Sequence, residues 1–387
     1  MSPSGAPLDV FLVAGEPSGD QLGFKLMRAL REASPGLNLR GVGGEAMSRE
    51  GLSSLFPMSD IAVMGLLPVI RRLPLLLRRI GQTADAIIAN PPDVLVIIDS
   101  PDFTHRVARR VRAALPRLPI VDYVSPTVWA WRPGRAPAMR AYVDEVLALL
   151  PFEPAAHARL GGPDCTYVGH PLIERLAELR PNADEARARD ASPPLLVVLP
   201  GSRRSEIERL MDMFGQTIAQ TIARTGPLDV VLPAVSHLAP LIAQKARGWE
   251  VQPRIVLGEA EKYAAFRSAR AALAASGTVT LELALAQVPM VVGYRVSRIE
   301  ALARFLVTAS SIVLPNLILG ENAIPELVQE ECTPQALSAA LVPLVSGGEQ
   351  RDAQARALLR LDDLMLLQSG DTPSARAARA VLGRVGS

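Results

Sequence analysis

Three stretches of this chain place charged or small polar residues where apolar runs end, and each points to a different chemistry. In "VLVIIDSPDF", Asp99 and Asp102 follow a buried-type apolar run. A carboxylate there is costly unless it is hydrogen-bonded or working. Asp99 is therefore a candidate general base, and Asp102 reads as the cap of a helix around His105. In "LPGSRRSEIERL", a strand, the turn Gly201-Ser202 and a helix beginning near Arg204 bring together free N–H groups, a positive dipole end and Arg203. That is anion-binding architecture. It lacks the lysine of a P-loop, which disfavours an ATPase, and a Ser202 N-cap with Glu206 in the first turn is compatible with it. "AASGTVTLELA" repeats the device through Ala275, Ser276, Gly277 and Thr278, with Glu282 one helical turn later. Glu282 either steadies the helix end electrostatically or reaches a ribose hydroxyl.

Other features are weaker. "VAGEPSGD" brackets Glu16, Pro17 and Ser18 between Gly15 and Gly19, a tight strand-to-helix turn that permits close ligand approach. "GVGGEA" fits G-x-G-x-x-A but follows the second strand, a poor setting for a dinucleotide fingerprint. The histidines His105, His157, His170 and His237 are scattered, so neither a metal set nor histidine base chemistry is expected. His170, in "VGHPL", either lines a cleft or is a satisfied loop residue. "VSPTVWAWRPGR" holds Trp129 and Trp131 between Pro126 and Pro133, in a chain only 4% aromatic.

The elements that position these residues follow from apolar patterning. Short continuous apolar runs alternate with helix-length stretches throughout, which argues for parallel sheets covered on both faces. The fold class expected is α/β, two facing Rossmann-like doubly wound domains followed by C-terminal helices. The polar, proline-bounded segment Pro181–Pro194 reads as the linker, giving domains 1–180 and 181–348 and a helical tail 349–387. Length agrees, since 387 residues exceed one ordinary core. Ligands of such sheets sit beyond the carboxyl ends of strands, so a cleft between the halves is the expected site.

Composition narrows the partners. Net charge is only +2, with 49% hydrophobic and 21% charged residues, so no nucleic-acid partner is indicated. The lysines are Lys25, Lys245 and Lys262 alone; the arginine bias reflects genome composition or phosphate recognition. Cys165 and Cys332 make no disulfide scaffold, as expected in a reducing cytoplasm. The N-terminus lacks a basic leader with a long apolar stretch, and no apolar run reaches membrane-spanning length. Ile61–Ile80 is dense in aliphatics and arginines, and Pro68 and Pro74 are expected to interrupt it as a helix. It reads either as core helices with solvated arginines or as a segment lying on an anionic bilayer.

Taken in order, "VAGEPSGD", "AVMG", "IDSPDF", "YVSPTVWAWR", "VGHPL", "LPGSR", "ASGTVTLE", "PMVVGYR", "LPNL" and "QEEC" resemble the lipid-A-disaccharide synthase family, between residues 13 and 332. The resemblance implies two Rossmann domains of the GT-B type and an inverting, metal-independent hexosyl transfer without cofactor. UDP-2,3-diacylglucosamine would donate its sugar to 2,3-diacylglucosamine 1-phosphate, giving a β(1→6) disaccharide 1-phosphate and UDP on the way to lipid A.

The resemblance also implies roles. Asp99 is the base and Glu16 a second essential carboxylate, though which of the two takes the proton stays open. Gly201, Ser202, Arg203, Gly277, Thr278, Glu282 and Asn316 belong to the donor site in the C-terminal domain. Ser18, Trp129, Trp131 and His170 belong to the acceptor side in the N-terminal domain, where either tryptophan instead packs on a neighbouring helix. Leu66, Leu67, Val69, Ile70, Arg71, Arg72, Leu75, Leu76, Leu77, Arg78 and Arg79 would face an anionic inner-membrane surface, making this a cytoplasmic, peripherally attached protein. The C-terminal helices pack back across the domains or onto a second subunit, so a homodimer is possible. Pro68 and Asp122 depart from the usual Glu and His of relatives. A UDP-N-acetylglucosamine 2-epimerase-like enzyme and a non-catalytic nucleotide- or lipid-binding protein are the rival readings.

Overall fold

Strands buried on both faces need apolar residues at every position, and "VFLVA" and "VLVII" meet that need at the centre of a parallel sheet. The structure, a computed structural model, describes residues 7–62, 66–297, 309–368 and 370–385, with the side chains of 66–71 set aside. The chain divides into two compact units, Met1–Pro171 with Leu367–Ser387, and Leu172–Leu366.

Unit 1 contains β1 (Asp9–Ala14), α1 (Pro17–Ala33), β2 (Asn38–Val42), α2 (Glu45–Arg49), α3 (Leu66–Ala89) and β3 (Val94–Ile98). It continues with α4 (Pro101–Ala114), β4 (Ile120–Tyr123), α5 (Arg135–Met139), β5 (Glu145–Ala148), α6 (Glu153–Leu160) and β6 (Asp164–Tyr167). The sheet order is β2-β1-β3-β4-β5-β6, all parallel. Successive residues of a strand face opposite sides. Accordingly Val10, Leu12 and Ala14 pack with Leu26 and Leu30 of α1, while Phe11 and Val13 pack with Ile80, Val107 and Val111.

Unit 2 contains α7 (Leu176–Leu179), α8 (Ala183–Ala188), β7 (Leu195–Leu199), α9 (Arg204–Thr225), β8 (Asp229–Ala234), α10 (Ala239–Ala246), β9 (Arg254–Leu257) and α11 (Glu259–Ser268). There follow β10 (Ala271–Ala274), α12 (Thr278–Leu285), β11 (Met290–Tyr294), α13 (Leu314–Leu319), β12 (Glu326–Val328), α14 (Pro334–Ser346) and α15 (Glu349–Met365). Its order is β12-β11-β10-β7-β8-β9, again parallel. The polar stretch after Pro181 carries α8, capped by Asn182, and Arg189 ties it to unit 2 by donating to the carbonyls of Arg267 and Gln287. The last helix, α16 (Pro373–Gly383), returns to unit 1: Ala377, Ala378 and Val381 join the α1 face of the core, and Arg384 donates to Glu145 at 2.7 Å.

Each sheet has one place where strand order reverses, between β1 and β3 in unit 1 and between β7 and β10 in unit 2. Register brings the paired strands level there, Ala14 beside Ile98 and Leu199 beside Ala274. Carboxyl ends at such reversals are where α/β sheets bind ligands.

Two local expectations are corrected. α3 is one helix from Leu66 despite both prolines. Pro68 falls in its first turn, where an N–H has no helical acceptor to lose, and Ile80, Ala84 and Ile87 anchor the helix on the core beyond exposed Pro74. The helix after β3 starts at Pro101, not near His105, so Asp102 lies inside its first turn, exposed, 3.7 Å from Arg135, and is not its cap.

Candidate functional site

At the reversal in unit 2 lies a cavity of about 550 Å³. The turn after β7 supplies Gly201, Ser202, Arg203 and Glu206; the turn after β10 supplies Ser276, Gly277, Thr278 and Glu282. Pro233 and Ala234 at the end of β8, Val235 and Ser236 after it, Gly258, Glu259 and Lys262 at the start of α11, and Tyr294 also line it.

Two helix N-termini face this cavity in different conditions. At α9, Glu206 folds back and its Oε2 accepts hydrogen bonds from the N–H of Ser202 at 2.9 Å and of Arg203 at 3.1 Å. The turn is shaped for it: Gly201 has φ +113°, and a Cβ there would lie 2.3 Å from the same oxygen. The N-cap is thus Arg203 and not Ser202, and Glu206, at the third helical position, is the side chain that takes the turn's amides. At α12 the N-cap is Gly277, which offers no side-chain cap and has nothing near the position of a Cβ. First-turn N–H groups lack an acceptor four residues back; in α12 that of Thr280 donates to the Gly277 carbonyl at 3.0 Å, while Thr278 and Val279 line the cavity, a setting that suits an anion.

Glu282 sits one turn inside α12, with Lys262 Nζ 2.8 and 3.1 Å from its two carboxylate oxygens. Lys262 lies over the Tyr263 ring at 4.7 Å and is mostly covered. Arg203 is 71% exposed and 3.7 Å from Glu206. Gly201, Ser202, Arg203, Gly277, Thr278 and Glu282 are therefore gathered around one cavity. Asn316 is not among them: it is buried, and its amide donates to and accepts from the main chain of Ile324, both at 2.9 Å. Sequence reasoning missed Lys262, Glu206 as a wall residue, Tyr294 and the segment after β8. A signal for Lys262 was present, a lysine kept in an arginine-dominated chain.

At the reversal in unit 1, the turns after β1 and β3 meet closely enough that a Cβ on Gly15 would lie 2.5 Å from that of Ser100. Ser18 Oγ donates to Asp99 Oδ2 at 2.9 Å, and the Ser100 N–H donates to Asp99 Oδ1 at 2.7 Å. Asp99 and Ser100 both adopt positive φ, +54° and +48°. Two such non-glycine residues in succession are strained, a feature that concentrates at functional sites. Glu16 has its carboxyl pushed above the usual range by burial first, then by the negative charge of Asp99. Two carboxylates with a shared environment, one inclined to hold a proton, are equipped for acid–base work.

The remaining candidates on unit 1 lie elsewhere along the sheet. Trp129, after β4, donates its indole N–H to Glu153 at 3.0 Å and meets the Phe152 ring edge-on at 5.1 Å. Trp131 is exposed, with the Arg132 guanidinium 4.1 Å above its ring. His170 follows β6, and burial, aided by Lys25, pushes its pKa down to about 4, so its ring is neutral at physiological pH. Burial pushes Glu153 up to about 7.

The "GVGGEA" stretch is not a dinucleotide turn: the buried Asp20 carboxylate takes the N–H groups of Gly44, Ala46 and Met47 at 2.7 to 3.1 Å. On α3, Leu77, Arg72 and Arg78 are exposed, as is Leu73, which the sequence reading passed over; Leu75 is half-buried. Leu76 packs partly on the core, and Arg79 is committed to Asp60 at 2.6 Å and to the Phe56 ring. Leu66, Leu67, Val69, Ile70 and Arg71 lie outside the described side chains. Among the described residues no helix is long and apolar enough to cross a membrane, and no cluster of three or more His, Cys, Asp or Glu is placed to hold a metal ion.

Solved structures share this architecture. The calicheamicin glycosyltransferase CalG4 superposes with a TM-score of 0.60 at 18% identity, covering 99% of this chain and 100% of its own. A putative UDP-N-acetylglucosamine 2-epimerase from Listeria monocytogenes gives 0.61 at 13% identity, covering 97% and 95%. The MurG protein of Acinetobacter baumannii gives 0.58 at 12% identity, covering 97% and 100%. The fold is that of the GT-B glycosyltransferases, and the 2-epimerase likeness is one of fold. Sequence goes further. The family model described as lipid-A-disaccharide synthetase matches residues 10–376. A lipid-A-disaccharide synthase of Nitrobacter hamburgensis is 57% identical over 96% of this chain and 94% of its own, and one of Rhodopseudomonas palustris is 55% identical over 98% and 97%. The chain belongs to the lipid-A-disaccharide synthase family and is a glycosyltransferase of lipid A biosynthesis.

Proposed function

We propose that the chain transfers the sugar of UDP-2,3-diacylglucosamine to 2,3-diacylglucosamine 1-phosphate, releasing UDP and forming a β(1→6) disaccharide 1-phosphate. The reading is supported by one observation: the reversal point of each sheet carries candidate groups, a cavity lined by Gly201, Ser202, Arg203, Gly277, Thr278 and Glu282 in unit 2, and Asp99 bonded to Ser18 near Glu16 in unit 1. Unit 2 holds the nucleotide. The N–H groups of the α12 terminus and Arg203 meet the diphosphate, stabilising the charge that develops as UDP leaves, and Glu282, steadied by Lys262, takes a ribose hydroxyl.

Unit 1 holds the acceptor. Asp99 removes the proton of the attacking hydroxyl, Ser18 fixes the orientation of its carboxylate, and Glu16 positions the sugar. A single displacement inverts the anomeric carbon and uses no catalytic metal. Exposed Leu73 and Leu77 beside Arg72 and Arg78 give α3 an apolar, basic face suited to an anionic bilayer, where both acylated substrates reside. Purified protein incubated with both substrates should yield the disaccharide phosphate and UDP on thin-layer chromatography. Release of free UDP without disaccharide, or of neither, refutes the reading.

A further inference from the structure

Glu206 occupies an odd position for a residue of a diphosphate site. Its carboxylate holds both main-chain amides of the turn after β7, Ser202 and Arg203, and Tyr294 donates its hydroxyl to Oε1 at 3.3 Å. The side chain is largely buried and packs where a Cβ of residue 201 would otherwise be, so the turn is built around a negative charge. The cavity wall carries three carboxylates, Glu206, Glu259 and Glu282, against two cations, Arg203 and Lys262. Lys262 is committed to Glu282, and Glu259 pairs with Arg175. Each wall carboxylate thus has a cation beside it, Arg203 lying 3.7 Å from Glu206, and Glu206 is the carboxylate whose main-chain partners are the amides a phosphate would use.

We propose that Glu206 is a resident competitor for the phosphate of the donor. Its carboxylate and a phosphate oxygen exchange possession of the Ser202 and Arg203 amides, and its return to them drives UDP off after transfer. This rests on the reading of the unit 2 cavity as the nucleotide site. It makes Glu206 a specificity residue for ligand charge, setting how firmly the product is held and so how fast the site turns over.

The test is calorimetric titration of the full-length protein with UDP and with uridine, which lacks the phosphates. Glu206→Gln keeps an acceptor oxygen for the two amides but removes the charge. It should bind UDP roughly tenfold more tightly, from loss of like-charge repulsion and of a charge-assisted competitor, with uridine affinity unchanged. Equal or weaker UDP binding in the variant, or the same gain for uridine, overturns the proposal and leaves Glu206 a simple helix cap. Wild-type protein that binds no UDP at all overturns instead the nucleotide reading of the cavity. Should the variant fold poorly, ¹⁵N-labelled wild-type protein decides the matter: the Ser202 and Arg203 amide resonances should move with UDP and stay with uridine. Resonances unmoved at saturating UDP refute the exchange.

Discussion

Replacing Lys262 by methionine keeps the length and packing of the side chain over Tyr263 while deleting its charge, and so isolates what the ion pair with Glu282 does. At 2.8 Å and an effective dielectric constant of about 20, the attraction is about 6 kcal/mol before solvation is counted. Taking two ions partly out of water returns most of that, leaving a net contribution of about 1–2 kcal/mol. The loss should fall on donor use, because Glu282 without its partner turns toward solvent and gives up its aim at the nucleotide. Donor KM should rise about five- to thirtyfold, the same energy expressed as affinity, with kcat nearly unchanged. The assay is a double-mutant cycle on donor KM with Lys262→Met, Glu282→Gln and the pair. If Lys262 acts through Glu282, the pair should be little worse than either single change, a coupling of about 1 kcal/mol or more. Additive effects would show that Lys262 works on the nucleotide independently, and the positioning argument would fail.

Three further outcomes are expected. Asp99→Asn retains the hydrogen-bond geometry with Ser18 but removes the proton acceptor, so turnover should fall about a hundred- to ten-thousandfold while calorimetric UDP affinity is unchanged; near-normal turnover would dismiss Asp99 as base. Glu153, raised to about 7 by burial, is protonated in the folded chain at pH values where the unfolded chain has ionised it. Its contribution to stability is complete below the unfolded pKa of about 4.5 and lost as pH rises through 7. Melting temperatures of Glu153→Gln relative to wild type should therefore improve between pH 5 and pH 8, and a constant difference across that range would contradict the buried neutral carboxyl. Changing exposed Leu73 and Leu77 to Asp should leave the melting temperature nearly unaltered and weaken co-sedimentation with anionic vesicles about tenfold or more; unchanged sedimentation would remove α3 from the membrane surface.

Much of this architecture was legible because parallel sheets leave a strong trace. A strand with helices on both faces must be apolar throughout, and "VFLVA", "VLVII" and "LLVVL" have no other economical reading. The residues after those runs were legible as site candidates for the same reason, since strand tips are where such sheets bind. What escaped was three-dimensional. Lys262 and Glu282 are 20 residues apart with β10 between them, and only the return of the chain through the sheet brings them together. Ser202 was a plausible N-cap by residue type with Glu206 in the first turn; the structure puts Arg203 at the N-cap and turns Glu206 back onto the amides, around a Gly201 of positive φ that no local pattern announces. The prolines of α3 misled because their penalty is local, whereas Leu76, Ile80, Ala84 and Ile87, beyond both, hold the helix on the core.

On the proposed reading, the charge at a helix N-terminus does not by itself select the anion site; possession of the amides does. At α2, Asp20 reaches over from α1 and takes three N–H groups, and it is buried while doing so. At α9, Glu206 takes two from within its own helix, on the cavity side. At α12, Gly277 supplies no side chain to take any. Hydrogen bonds to a charged group contribute about 1.5–3 kcal/mol each, so a phosphate must displace progressively less in passing from α2 to α9 to α12. The macrodipole is present in all three helices, yet its pull is already spent on an internal carboxylate in two of them. Asp20 is buried with both carboxylate oxygens engaged, and amounts to a permanent cap. Glu206 has the weaker hold and the cavity beside it, and is the one internal anion of the pair placed to exchange.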